Sequence, residues 1–78
     1  MKMKPVNKEK VAAEFGSFVR EARERKGMYQ ADVAEQLGIT RSYYTMIESG
    51  AREIYFTLAI NICRILDLDI NEFTKRLK

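Results

Sequence analysis

The stretch from Gln30 to Gly50, QADVAEQLGITRSYYTMIESG, limits what this chain can fold into more than any other. Val33, Ala34 and Leu37 stand at i, i+1 and i+4, which is one face of a helix. Gly38 then breaks the pattern in a way that suits the left-handed conformation just past a helix C-terminus. Ile39 plugs the turn, and Thr40 is a good N-cap for a second helix starting at Arg41. That helix, about residues 41–49, is expected to bury Tyr44 and Ile47. It leaves Arg41, Ser42, Thr45, Met46 and Ser49 outward, and Gly50 ends it. The centre of the chain is therefore two short helices around a glycine turn, the second with a free face of hydrogen-bonding side chains.

Two helices in this relation make a helix-turn-helix, whose second helix lies in the major groove of double-stranded DNA. The charge distribution refines that expectation. Residues 1–26 carry eight Lys/Arg against four Glu, whereas residues 27–50 carry Arg41 against Asp32, Glu35 and Glu48. The reading unit is not itself basic, although the whole chain has a net charge of +3. Attraction to phosphate must come from helix N-termini, backbone amides, Arg52 and the flanking helix.

Other classes of function are poorly supplied. Without histidine, the usual general base near neutral pH and the commonest metal ligand are both missing. One cysteine makes neither a zinc site nor an internal disulfide, and Cys63, in AINICRIL, reads as a buried thiol in a reducing cytoplasm. None of the four glycines has phosphate-loop spacing. The carboxylates are interspersed with basic residues on helical surfaces. We therefore expect no enzyme, no catalytic or metal-binding residue, no cofactor and no small-molecule substrate. A 46% hydrophobic, 32% charged chain of 78 residues is expected to be one soluble domain. It has no run of about 18 apolar residues to cross a membrane, and MKMKPVNKEK is not a signal peptide.

In chain order, residues 1–7 read as a flexible basic arm and 8–78 as one domain. A first helix spans Lys8–Lys26, capped by Asn7, with Val11, Phe15, Val19 and Ala22 inward and Gly27 as the stop. Gly16 in mid-helix marks a close helix contact. Met28 is a core residue of the connection. A fourth helix runs from about Tyr55 to Asp67 with Phe56, Ala59, Ile62, Cys63 and Leu66 inward. A fifth starts at Asp69, with Glu72 completing a capping box and Phe73 and Leu77 on its apolar face. The expected class is all-α with five helices.

The segments F-G-x-x-V-R-x-x-R, G-M-x-Q-x-x-V-A-x-x-L-G-I-T, R-S-Y-Y-x-x-I-E-x-G and I-C-x-x-L-x-L-x-x-x-E-F run from Phe15 to Phe73 in this order. Together they resemble the Cro and phage-repressor type of helix-turn-helix, the xenobiotic-response-element-like regulators. The resemblance implies a compact lambda-repressor-like domain with helices 2 and 3 as the DNA-binding unit. It implies base contacts from Arg41, Ser42, Thr45 and Met46, and phosphate contacts from Gln30, Tyr43, Ser49 and Arg52. It also implies a largely buried salt bridge between Arg23 and Glu48. Tyr29 and Tyr55 depart from the family by standing where Ser or Thr caps usually occur. Met46 departs too, since it could pack on a thymine methyl but not hydrogen-bond a base. Phe18 either fills volume left by Ala22 or is an exposed aromatic at a partner interface. Ile60, Ile65 and Leu68 exceed what one small core hides and point to dimerisation.

The expectation is a cytoplasmic, bacterial or phage-type transcription regulator, more a repressor than an activator, binding a two-fold operator as a homodimer. It is expected to carry no added effector domain. Phage repressor, antitoxin and restriction controller all fit, and a protein-interaction adaptor on the same fold is the alternative.

Overall fold

Helices form where the chain supplies an apolar stripe, and three of them are started by a side-chain cap, from Asn7, Thr40 and Asp69. The structure is a computed structural model that describes residues 4–77. The first three residues of the expected arm therefore lie outside the described residues, while Lys4 to Asn7 are exposed and without regular structure. The helices are α1 (Lys8–Arg25), α2 (Gln30–Leu37), α3 (Arg41–Ser49), α4 (Phe56–Ile65) and α5 (Ile70–Lys75), with no strand among the described residues.

Asn7 starts α1 through its side-chain oxygen, which accepts from the amides of Glu9 at 2.9 Å and Lys10 at 3.1 Å. Its inner face buries Ala12, Phe15, Phe18, Val19 and Ala22. Gly16 does mark a close contact, because the last turn of α3 lies directly on it. A Cβ built there would stand 2.4 Å from the Glu48 carbonyl oxygen and 2.6 Å from that of Ile47. One turn earlier, Ala13 meets Gly50 in the same way, so α1 and α3 cross backbone against backbone.

Val19, Val33, Tyr44, Ile47 and Ile62 are fully buried where α1 to α4 converge. Phe73 of α5 closes the far end edge-on to Phe15, with ring centroids 5.1 Å apart, and 5.8 Å from Phe18. Phe18 is thus a core residue and not an interface aromatic. The Arg76 guanidinium covers its outer face at 5.0 Å and bonds Glu21 of α1 at 2.5 Å. Cys63 is a free, buried thiol whose pKa burial raises.

Three expectations need correction. The inward stripe of α4 begins at Leu58, not Phe56, which is 76% exposed. Leu58, Ile62 and Leu66 repeat every four residues, and Phe56 stands two positions before Leu58, about 200° round the helix. The helix is also shorter than expected, because Leu66 caps it and Asp67 takes the left-handed region at φ +55°. Finally, Asp69 caps α5 through the Asn71 amide at 2.9 Å, but Glu72 forms no capping box and instead faces Lys75. Ile60, Ile65 and Leu68 are half-buried. No helix among the described residues is long and apolar enough to cross a membrane.

Candidate nucleic-acid interface

The α2–turn–α3 unit is set by local hydrogen bonds. Tyr29 offers no side-chain cap, and the Asp32 carboxylate does the work from inside α2 by accepting the Tyr29 amide at 2.8 Å. At the other end Gly38 adopts φ +71°. That left-handed step lets the Ile39 amide reach back to the Ala34 carbonyl at 3.1 Å. Thr40 then starts α3, its hydroxyl accepting the Tyr43 amide at 3.1 Å.

Tyr44 and Ile47 anchor α3 inward, and Arg41, Ser42, Thr45 and Ser49 stand exposed. Met46 is half-buried rather than outward, so it reaches the free face only with part of its side chain. Ser49 donates to the Met46 carbonyl at 3.0 Å, which commits its proton to the helix. Tyr43 is half-buried at the flank of α3. The Arg52 guanidinium lies 5.3 Å from the centroid of its ring, a cation–π distance that holds the arginine beside the helix.

Arg23 and Glu48 meet in a bidentate pair. The Arg23 Nε donates to Glu48 Oε2 at 2.6 Å and Nη2 donates to Oε1 at 3.0 Å. The Arg23 Nη1 also donates to the Met28 carbonyl at 2.8 Å, so one guanidinium joins α1, the α1–α2 turn and α3. Only 3% of the Glu48 side chain is exposed. Burial pushes its carboxyl up, but hydrogen bonds led by Arg23 outweigh burial and hold it below its ordinary value. The same pairing raises Arg23. The Tyr44 hydroxyl is buried nearby without a hydrogen-bond partner, and burial pushes its phenol far above its usual range.

Gln30 extends this network to the free face. Its Nε2 donates to Glu48 Oε1 at 3.1 Å, and its Oε1 accepts from the Thr45 hydroxyl at 3.0 Å. The resemblance implies that Gln30 contacts phosphate and steadies the recognition helix; the structure adds that both ends of its amide are engaged on α3. Spacing could not reveal this, because the contact depends on how α2 and α3 cross.

A family model described as helix-turn-helix matches residues 19–73. The chain belongs to the helix-turn-helix family. It is of the Cro/C1 type, and that family consists of DNA-binding transcriptional regulators. Over 61 residues the chain is 38% identical to an uncharacterized HTH-type transcriptional regulator, YqaE, of Bacillus subtilis, covering 78% of this chain and 53% of the relative. It thus spans about half of that relative's length. Among solved structures it is similar to the restriction-modification controller protein C.AhdI of Aeromonas hydrophila. There the TM-score is 0.72 at 31% identity, over 80% of this chain and 94% of that one. The clp gene regulator ClgR of Corynebacterium glutamicum shares the fold, with a TM-score of 0.77 at 22% identity over 82% of this chain and 68% of that one.

Proposed function

We propose that this protein is a cytoplasmic, sequence-specific regulator that binds a two-fold operator in double-stranded DNA as a homodimer and represses by occupying it. The observation that carries this is the free face of α3. Arg41, Ser42 and Thr45 stand exposed on a helix whose inner side is fixed by the buried Arg23–Glu48 pair. Arg41, at the helix N-terminus that enters the groove, reads a guanine through its two parallel donors. Ser42 and Thr45 read neighbouring bases, and the exposed part of Met46 packs on a thymine methyl. Arg52, braced by Tyr43, contacts phosphate, as does the spare donor of the Gln30 amide, whereas Ser49, its proton held by the Met46 carbonyl, offers phosphate no side-chain donor. Repression suits such a unit because occupancy alone blocks access to a promoter.

The dimer follows from the symmetry of the operator and from one surface. Phe56 stands exposed beside an apolar recess of about 320 Å³ walled by Val11, Phe15, Ile70 and Phe73. Glu53 and Ile54, from the loop after α3, complete its rim. Two copies related by a two-fold axis would each place a Phe56 against the other's recess. The half-buried Ile65 and Leu68 pack against the core and not on this surface.

Titrating duplex affinity against salt tests the reading. An affinity that falls steeply as salt rises is expected from phosphate neutralisation. Absence of duplex binding at low salt, with a protein partner captured instead, would replace the regulator with an adaptor.

A further inference from the structure

We infer that Thr45 is a fixed hydrogen-bond acceptor on the reading face, so that the base it meets is one displaying an amino donor in the major groove, adenine or cytosine. The inference rests on the DNA-binding reading above and names which bases one position of the operator admits.

A threonine hydroxyl has one proton and two lone pairs, and a free hydroxyl rotates to donate or accept as its partner requires. A free Thr45 would therefore discriminate poorly. Here its freedom is removed by a chain of contacts whose polarity is set in the core. Arg23 can only donate, and it holds Glu48 by two bonds at 2.6 and 3.0 Å. The bound carboxylate is ionised and can only accept. Gln30 must then turn its amino end toward Glu48, and the contact is 3.1 Å. With that end fixed, the carbonyl end of Gln30 faces Thr45, and only the Thr45 proton can satisfy it, at 3.0 Å. The orientation of the Gln30 amide is thus dictated by chemistry, since the reverse orientation would set its carbonyl oxygen against a carboxylate. What Thr45 retains for a base is its lone pairs and its methyl group. In the major groove adenine N6 and cytosine N4 are the donors, whereas guanine and thymine offer acceptors at O6, N7 and O4. The buried ion pair thereby acts on specificity through Gln30, which is a positioning residue, and Thr45 is the contact.

The test uses the full chain and a duplex enriched by binding-site selection from random sequence. In that duplex, purine replaces each adenine in turn and 2-pyrimidinone each cytosine, which removes single amino groups. One position per half-site should lose about two- to tenfold in affinity on this replacement, the range of a single net hydrogen bond. Thr45→Val should be indifferent to that replacement, and Thr45→Ser, which keeps the hydroxyl, should respond as the wild type does. Gln30→Met frees the proton, so selection with that variant should admit guanine or thymine at the same position, with its melting temperature reporting that it folds. A purely structural role for Gln30 would lower affinity for all sequences and leave the preference intact.

A Thr45-dependent preference for guanine would overturn the inference, as would a thymine preference that Thr45→Val retains, since that would mean methyl packing. Base preferences that Thr45→Val leaves unchanged everywhere would also end it. If the wild-type protein selects no sequence and shows no salt-dependent duplex affinity, the DNA-binding reading fails and the acceptor role fails with it. If it selects a site but Thr45 has no amino partner there, the acceptor role alone fails.

Discussion

Replacing Gly16 by alanine should destabilise the protein although alanine is the better helix former. The gain is limited to the difference in helix propensity, about 1 kcal/mol. Against it stands the new methyl group, whose carbon would lie 2.4 and 2.6 Å from two carbonyl oxygens of α3 and 2.9 Å from a carbonyl carbon. All three are backbone atoms, so no side-chain rotation relieves the clash and α1 must move away from α3. Inserting a methyl into a packed contact costs about 1–3 kcal/mol, and rigid neighbours put this site toward the upper end. The net expectation is a loss of about 1–2 kcal/mol. In a domain of this size each kcal/mol lowers Tm by about 4–8 °C. Gly27→Ala is the control. Nothing lies within 4 Å of a Cβ there, and φ is +66°, so only local backbone strain of about 1–2 kcal/mol is expected. Urea and thermal melts of both variants decide the matter, with DNA affinity as a second readout. Because Glu48 lies in the turn that Gly16 supports, Gly16→Ala should weaken binding in excess of the unfolded fraction, and Gly27→Ala should not. A Gly16→Ala protein as stable as the wild type would refute the close crossing of α1 and α3.

Arg23→Met or Glu48→Met alone should cost on the order of 3 kcal/mol, with 5 as an upper figure, because each leaves a buried charge unpaired, and the double variant should cost less than the two summed. Because Glu48 is depressed in the folded state, its stabilisation is complete above the unfolded carboxylate pKa of about 4.3 and is lost as pH falls through the folded value. Glu48→Gln should therefore show a shallower acid limb than the wild type in Tm measured against pH. Phe56→Ser should shift sedimentation toward monomer and lower Tm only at concentrations where the wild type is dimeric, since Phe56 is exposed in the single chain, and an unchanged dimer would remove that surface from consideration. Tyr43→Phe should keep the Arg52 stack and its phosphate contact, whereas Tyr43→Leu should reduce the salt slope toward that of Arg52→Ala, about one ion per site lower than the wild type.

The signals legible in the sequence were those tied to short-range chemistry. Asn7, Thr40, Gly38 and Gly50 announce helix ends through caps and left-handed turns, so α1 to α3 follow from their own residues. The mid-helix Gly16 announced a close contact, and the structure places α3 on it. Less legible was α4. Phe56, Leu58, Ala59 and Ile62 surround enough of the helix that the stripe can be drawn from either edge, and the structure settles it on Leu58, which is buried, while Phe56 is exposed. Glu72 occupied a capping-box spacing, yet the single bond from Asp69 and the nearby Lys75 left it no such role. The candidate interface was legible as a set of outward positions on α3. The buried Arg23–Glu48 pair was expected from the resemblance and is present; its continuation from Glu48 through Gln30 to Thr45 was not legible, because it joins residues 18 and 15 positions apart across two helices.

Binding-site selection with the wild-type protein and Arg41→Ala tests the central claim, that α3 reads the major groove, most directly. The wild type is expected to enrich a two-fold sequence with a guanine facing Arg41. The variant should relax that base pair alone in each half-site, at a cost of about 1–3 kcal/mol in discrimination. An Arg41→Ala protein that keeps the wild-type preference at every position and loses only overall affinity would contradict base reading by α3.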